Sequence, residues 1–157
     1  MSHDKQHVAL PSLEVVRQTI RDYQQECDGI ARDMYFVAAE FKAVFRLPCP
    51  VFLTVQKLST GSIYLRWRLV GARRRQPYIL MEGAKATDIL NTMTPEVRQI
   101  YYRFHQQVIY LNAKHAMRLA EKRRWEGYRQ QRQDLEQLKN EFKIKATAMA
   151  GSSLVSH

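Results

Sequence analysis

The sequence predicts an α+β fold: a long antiparallel two-helix hairpin of coiled-coil type, with a small three-stranded antiparallel β meander between the helices. Three observations predict it. Leu13, Val16, Ile20, Tyr23, Cys27, Ile30, Met34, Val37, Phe41 and Val44 recur at alternating spacings of 3 and 4, a heptad seam that needs a partner helix. A second such stripe, Val97, Tyr101, Phe104, Val108 and Leu111, begins after residue 94. Between them, apolar and polar residues alternate with the period of two that marks half-buried strands.

The first helix is expected over residues 12–46. Ser12 is its candidate N-cap, and Glu14 sits where the positive end of the helix dipole favours an acid. Pro48 and Pro50 end it, because proline has no backbone donor and restricts the residue before it. The meander follows over 51–81. Val51, Leu53 and Val55 alternate with Phe52, Thr54 and Gln56, and Leu58 to Gly61 form a turn. Ile63, Leu65, Trp67 and Leu69 then alternate with Tyr64, Arg66 and Arg68, which assigns Trp67 to the core side. Residues 71–76 make a tip with Arg73, Arg74 and Arg75, and residues 77–81 a third strand, edge-placed by its leading proline. A short helical turn is expected near Ala86–Leu90. Thr94, Pro95 and Glu96 are the cap, first position and first-turn acid of a second long helix over 94–142. At ~1.5 Å per residue that helix is roughly 70 Å long, so it overhangs the first unless it kinks at Gly127. Residues 1–11 are expected to be loose, 12–145 to form a single domain, and 146–157 to be a disordered tail.

The 157 residues suit one domain with a real core, and 45% hydrophobic content excludes compositional disorder. The formal charge is +10. It is unevenly placed: residues 1–48 hold 6 basic and 7 acidic side chains, 49–82 hold 6 and 1, and 83–157 hold 13 and 7. The meander and second helix therefore carry the positive charge, which favours an anionic partner, DNA above all. On the meander, Tyr64, Arg66, Arg68 and Arg73 to Arg75 are the candidate contacts, since arginines hold phosphates and aromatics stack on bases. Lys122, Arg123 and Arg124, beside Trp125 and Tyr128, would extend the footprint. The plainer alternative is a half-solvated sheet face and a helix surface whose basic residues pair with acids three or four residues away.

Cys27 reads as a small core residue, and no cysteine–histidine cluster of metal-ligand spacing occurs. His115 falls on the helical seam and reads as a packed core histidine. No nucleophile elbow, zinc-protease, P-loop or dinucleotide motif is present, so neither a cofactor, a metal nor a catalytic residue is expected. The first ten residues lack the apolar stretch of a secretory signal, and no run approaches the ~20 apolar residues of a membrane span, so a cytoplasmic protein without a membrane partner is the expectation.

The stretch TGSIYLRWR (Thr60–Arg68), followed by VIYLNAKHAMRLA (Val108–Ala120), resembles a family without assigned function from integrating conjugative elements and related plasmids. The helix–meander–helix layout is also similar to that of an auxiliary mobilisation protein of such elements. The resemblance covers about residues 51–140 and carries no catalytic residues. It implies a mobile-element setting, a DNA partner, and a relaxase or other transfer protein nearby. The expected function is thus a non-enzymatic DNA-binding accessory protein of a conjugative element, assisting DNA transfer or origin processing. The competing expectation is a protein–protein adaptor, in which Leu135, Leu138 and Phe142 on the overhang pair with a second copy and no nucleic acid is touched.

Overall fold

The computed structural model describes residues 7–45, 49–70 and 78–153. The chain is α+β. Its elements run α1 (Leu13–Val44), β1 (Val51–Lys57), β2 (Ile63–Leu69), β3 (Tyr78–Ile79), α2 (Ala84–Asn91) and α3 (Pro95–Ser153). It divides into two compact units, Tyr23–Ala120 and Met1–Asp22 with Glu121–His157, where the sequence predicts one domain over 12–145.

Within the unit Tyr23–Ala120, the three strands form an antiparallel sheet in the order β1-β2-β3. Lys57 pairs with Ile63 and Val51 with Leu69, so the register follows the predicted alternation. Gly61 closes the first hairpin at φ 91°, a left-handed conformation that side chains with a Cβ resist, and its N–H bonds the Leu58 carbonyl at 3.0 Å. The third strand is shorter than predicted. After Ile79 the chain turns: the Gly83 N–H bonds the Leu80 carbonyl at 2.9 Å, and Gly83 becomes the N-terminal cap of α2.

The inner sheet face presents Val51, Leu53, Leu65, Trp67 and Ile79, all buried. They share one core with Ile30, Met34, Val37 and Phe41 of α1 and Tyr101, Phe104, Val108 and Leu111 of α3. Phe41 is the hub. Its ring lies 5.3 Å from both Trp67 and Phe104 and 5.6 Å from Tyr101, edge-on in each case. Such edge-to-face pairs each contribute about 0.5–1.5 kcal/mol beyond area burial. At the end of the α1 stripe, Val44 is 54% exposed and Phe45 turns in instead, 4.7 Å from Tyr101. The helix stops at Val44, so the next residue is free of helical direction. Of the two expected terminators, Pro48 lies outside the described residues and Pro50 directly precedes β1.

A polar side chain of α3 completes the edge of the sheet. Because β3 pairs only at Trp67 and Arg68, Leu65 has no strand on that side. The Asn112 carboxamide takes the strand's place: its Oδ1 accepts from the Leu65 N–H at 2.8 Å and its Nδ2 donates to the Leu65 carbonyl at 3.0 Å. His115, one turn further along α3, is 2% exposed. Burial lowers its pKa, and the charge of Asp28 opposes that only in part.

In the other unit, Ser12 caps α1 as predicted, with Oγ accepting from the Val15 N–H at 3.2 Å. Val16 and Ile20 are buried. The Arg132 guanidinium donates to the Pro11 carbonyl at 2.6 Å. Helix α3 runs unbroken through Gly127, where an added Cβ would meet nothing within 4 Å. It continues to Ser153, which corrects the expected end at Phe142 and the disordered tail from residue 146. Lys143 to Ala150 are mostly Lys, Ala and Met, whose helix propensity carries the segment without an apolar stripe.

Replacing Asn112 by Ala strands a part-buried N–H and C=O, so unfolding free energy should drop by about 2–4 kcal/mol in urea titrations. A loss below about 0.5 kcal/mol would show that the Leu65 edge is satisfied in some other way. His115 predicts a pH effect. A buried neutral histidine with a depressed pKa contributes stability that is complete above its unfolded value and declines as pH falls below it. Stability should therefore fall between about pH 7 and pH 5 in the native protein and stay flat there in His115→Leu.

Candidate nucleic-acid interface

The outer face of the sheet follows from the same alternation. Across β1 and β2, Phe52 faces Arg68, Thr54 faces Arg66 and Gln56 faces Tyr64. Tyr78 of β3 pairs with Arg68 from the other side. The structure thus brings three of the predicted contacts, Tyr64, Arg66 and Arg68, onto one face and adds Tyr78.

Their rings and guanidinium groups stack. The Arg66 guanidinium carbon lies 4.9 Å from the Tyr64 ring centre and 5.2 Å from that of Tyr78. Arg68 lies 4.7 Å from the Tyr78 ring. Each such contact adds about 0.5–1 kcal/mol at partly exposed sites and leaves the in-plane N–H donors of the guanidinium to bond elsewhere. Two polar atoms on this face, the Arg66 Nε donor and the Gln56 Oε1 acceptor, are buried without a hydrogen-bond partner among the described residues. Arg73, Arg74 and Arg75 lie outside the described residues. Lys122, Arg123 and Arg124 lie on α3 in the other unit. Lys122 reaches Glu126 at 3.3 Å, one turn along the helix, while the Arg123 and Arg124 side chains are exposed.

Beside the stacked face a cleft of about 410 Å³ opens between the sheet and α3. Tyr64, Arg66 and Tyr78 form one wall, and His105, Ile109 and Asn112 the other. At its end a three-member chain is fixed by elementary hydrogen-bond logic. The Trp67 indole N–H, which can only donate, bonds His105 Nδ1 at 3.1 Å. Nδ1 must therefore accept, which places the ring proton on Nε2, and Nε2–H donates to Glu82 Oε1. This bond, more than any other influence, lowers the Glu82 pKa, so the carboxylate is ionised at neutral pH. Glu82 itself is 64% exposed at the cleft mouth.

Tyr78, Glu82, His105 and Asn112 are absent from the residues the sequence singles out. Glu82 had a signal, being the one acid in the basic stretch 49–82. His105 and Asn112 each follow a stripe residue, Phe104 and Leu111, which places them at the border of the buried face. Among the described residues no three His, Cys, Asp or Glu side chains gather as a metal site, and no helix is long and apolar enough to cross a membrane. No family model, curated protein or solved structure matches this chain.

The Glu82–His105 pair makes an acid-limb prediction. A carboxyl with a depressed folded pKa stabilises the fold above its unfolded value, 4.5, and that contribution vanishes as pH falls through the folded value. Glu82→Gln should lower the neutral plateau and flatten the part of the stability–pH curve below about pH 5, the two proteins converging in acid. An unchanged acid limb would show that the pair has no coupling to folding.

Proposed function

We propose that this protein is a non-enzymatic DNA-binding accessory protein of a conjugative element, acting beside a relaxase or other transfer protein. The observation that carries the DNA-binding part is the ladder Tyr64–Arg66–Tyr78–Arg68 on one sheet face, in the stretch of chain with 6 basic and 1 acidic residues. Guanidinium groups held over rings retain N–H donors for phosphate oxygens, and the rings offer stacking surface to bases. The mobile-element setting rests on the resemblance of Thr60–Arg68 and Val108–Ala120 alone. In this reading the two long helices form an antiparallel hairpin that presents the sheet. Phe41 beside Tyr101 and Phe104, together with Glu26 paired to Arg118 at 2.7 Å, supports that direction. Arg73 to Arg75 and Lys122 to Arg124 are secondary phosphate contacts.

A second reading has its own observation. Leu135, Leu138 and Phe142 are 52%, 49% and 64% exposed on one stripe of α3. That stripe suits a protein–protein adaptor that self-pairs through α3 without touching nucleic acid. A strictly monomeric mass at high concentration would sink it.

For the DNA reading, the test is fluorescence anisotropy across a salt series. Arg66→Ala with Arg68→Ala should weaken binding at least about tenfold at low salt. The same pair should reduce the slope of log affinity against log salt by about 1.4–1.8, the contribution of two phosphate contacts. Undiminished affinity in that variant would remove the sheet face from the interface.

A further inference from the structure

The cleft beside the ladder has features that phosphate binding does not use. It is large enough for a small planar ligand, and its rim carries apolar side chains in water: Leu80 is 73% exposed and Ile109 53% exposed. Tyr64 and Tyr78 supply ring surface along one wall. An ionised carboxylate, Glu82, stands at the mouth of a cleft whose lining also holds the Arg66 guanidinium. A carboxylate repels phosphate and accepts from donors, so the group it favours at the mouth is one that carries hydrogen-bond donors.

Base chemistry narrows that partner. Guanine has two adjacent donors, the N1–H and the N2 amino group, which match the two oxygens of a carboxylate. Adenine, cytosine and thymine each set an acceptor beside their donor, which a carboxylate repels. Glu82 Oε1 already accepts from His105, but a carboxylate has about four lone-pair sites, so both oxygens retain capacity. In a duplex, guanine spends both donors on cytosine and lies inside the stack. Only an unpaired guanine offers them to a cleft.

We infer that the cleft takes one unpaired guanine of a single-stranded nucleic acid, its ring packed along Tyr64 and Tyr78 and its N1–H and N2 amino group donating to Glu82. This rests on the sheet face being a nucleic-acid interface, and it names the strand state and the base. Arg66 and Arg68 hold the flanking phosphates. The Trp67–His105–Glu82 chain is then a positioning device: Trp67 fixes the histidine tautomer, and the histidine holds the carboxylate toward the mouth.

The test measures anisotropy of the full chain with three single strands of equal length, alternating guanine–thymine, alternating hypoxanthine–thymine and oligothymidine, and with a duplex. The guanine strand should bind about tenfold tighter than oligothymidine, as expected for one bidentate base contact. Hypoxanthine, which lacks the N2 amino group, should lose most of that preference without any change to the protein. Glu82→Gln, whose amide oxygen still accepts from His105, should erase the preference and, with a phosphate-repelling charge gone, bind oligothymidine at least as tightly as the native chain does. Equal binding of all strands, or a duplex bound as well as the guanine strand, would overturn the guanine site while leaving the DNA-binding reading standing. No binding to any strand or duplex at low salt would overturn both.

Discussion

The two hydrogen bonds from Asn112 to the Leu65 backbone are the constraint on which the unit around the sheet depends. A two-residue β3 cannot cover the edge of a seven-residue β2, and bare N–H and C=O groups at a half-buried edge are costly. A carboxamide is the one neutral side-chain group with a donor and an acceptor side by side, so it can stand in for a strand residue. It also sets distance and direction, because both bonds are met only when α3 lies in one position along the edge. That position brings Val108 and Leu111 into the core and leaves the cleft open beside Tyr64 and Arg66. A longer β3 would close the cleft; the early turn at Gly83 is what keeps it.

The aromatic cluster works with that constraint. Phe41 meets rings from β2 and α3, so the three elements share one centre. Trp67 links core to cleft, since its ring is 2% exposed while its N–H reaches His105. Burying an indole without satisfying its N–H would cost on the order of 1–3 kcal/mol. The core therefore dictates the His105 tautomer, and through it where the Glu82 carboxylate sits.

Much of this fold was legible in the alternation and spacing of apolar residues. Period two placed Trp67 inward and Tyr64, Arg66 and Arg68 outward, and Ser12 and Thr94 marked the two long helices because caps are local. What stayed hidden was set by contacts distant in sequence. Asn112 lies 47 residues from Leu65 and His105 lies 38 from Trp67, so no local pattern relates them. The length of β3 depended on a turn that residues 77–81 do not announce. The end of α3 was missed for the opposite reason, because a helix of Lys, Ala and Met needs no stripe.

The ladder on the outer face has a consequence for binding that its charge alone does not. A free arginine loses side-chain entropy when it fixes a phosphate, on the order of 1–2 kcal/mol. Arg66, stacked between two rings, has already lost much of that freedom in folding. Its buried Nε has no partner among the described residues, a donor that a bound acceptor would meet. Both effects favour a ligand. A merely solubilising arginine would extend into water and show neither. The half-buried, stacked and under-satisfied state of Arg66 is therefore the physical support for the proposed reading of this face as a binding surface.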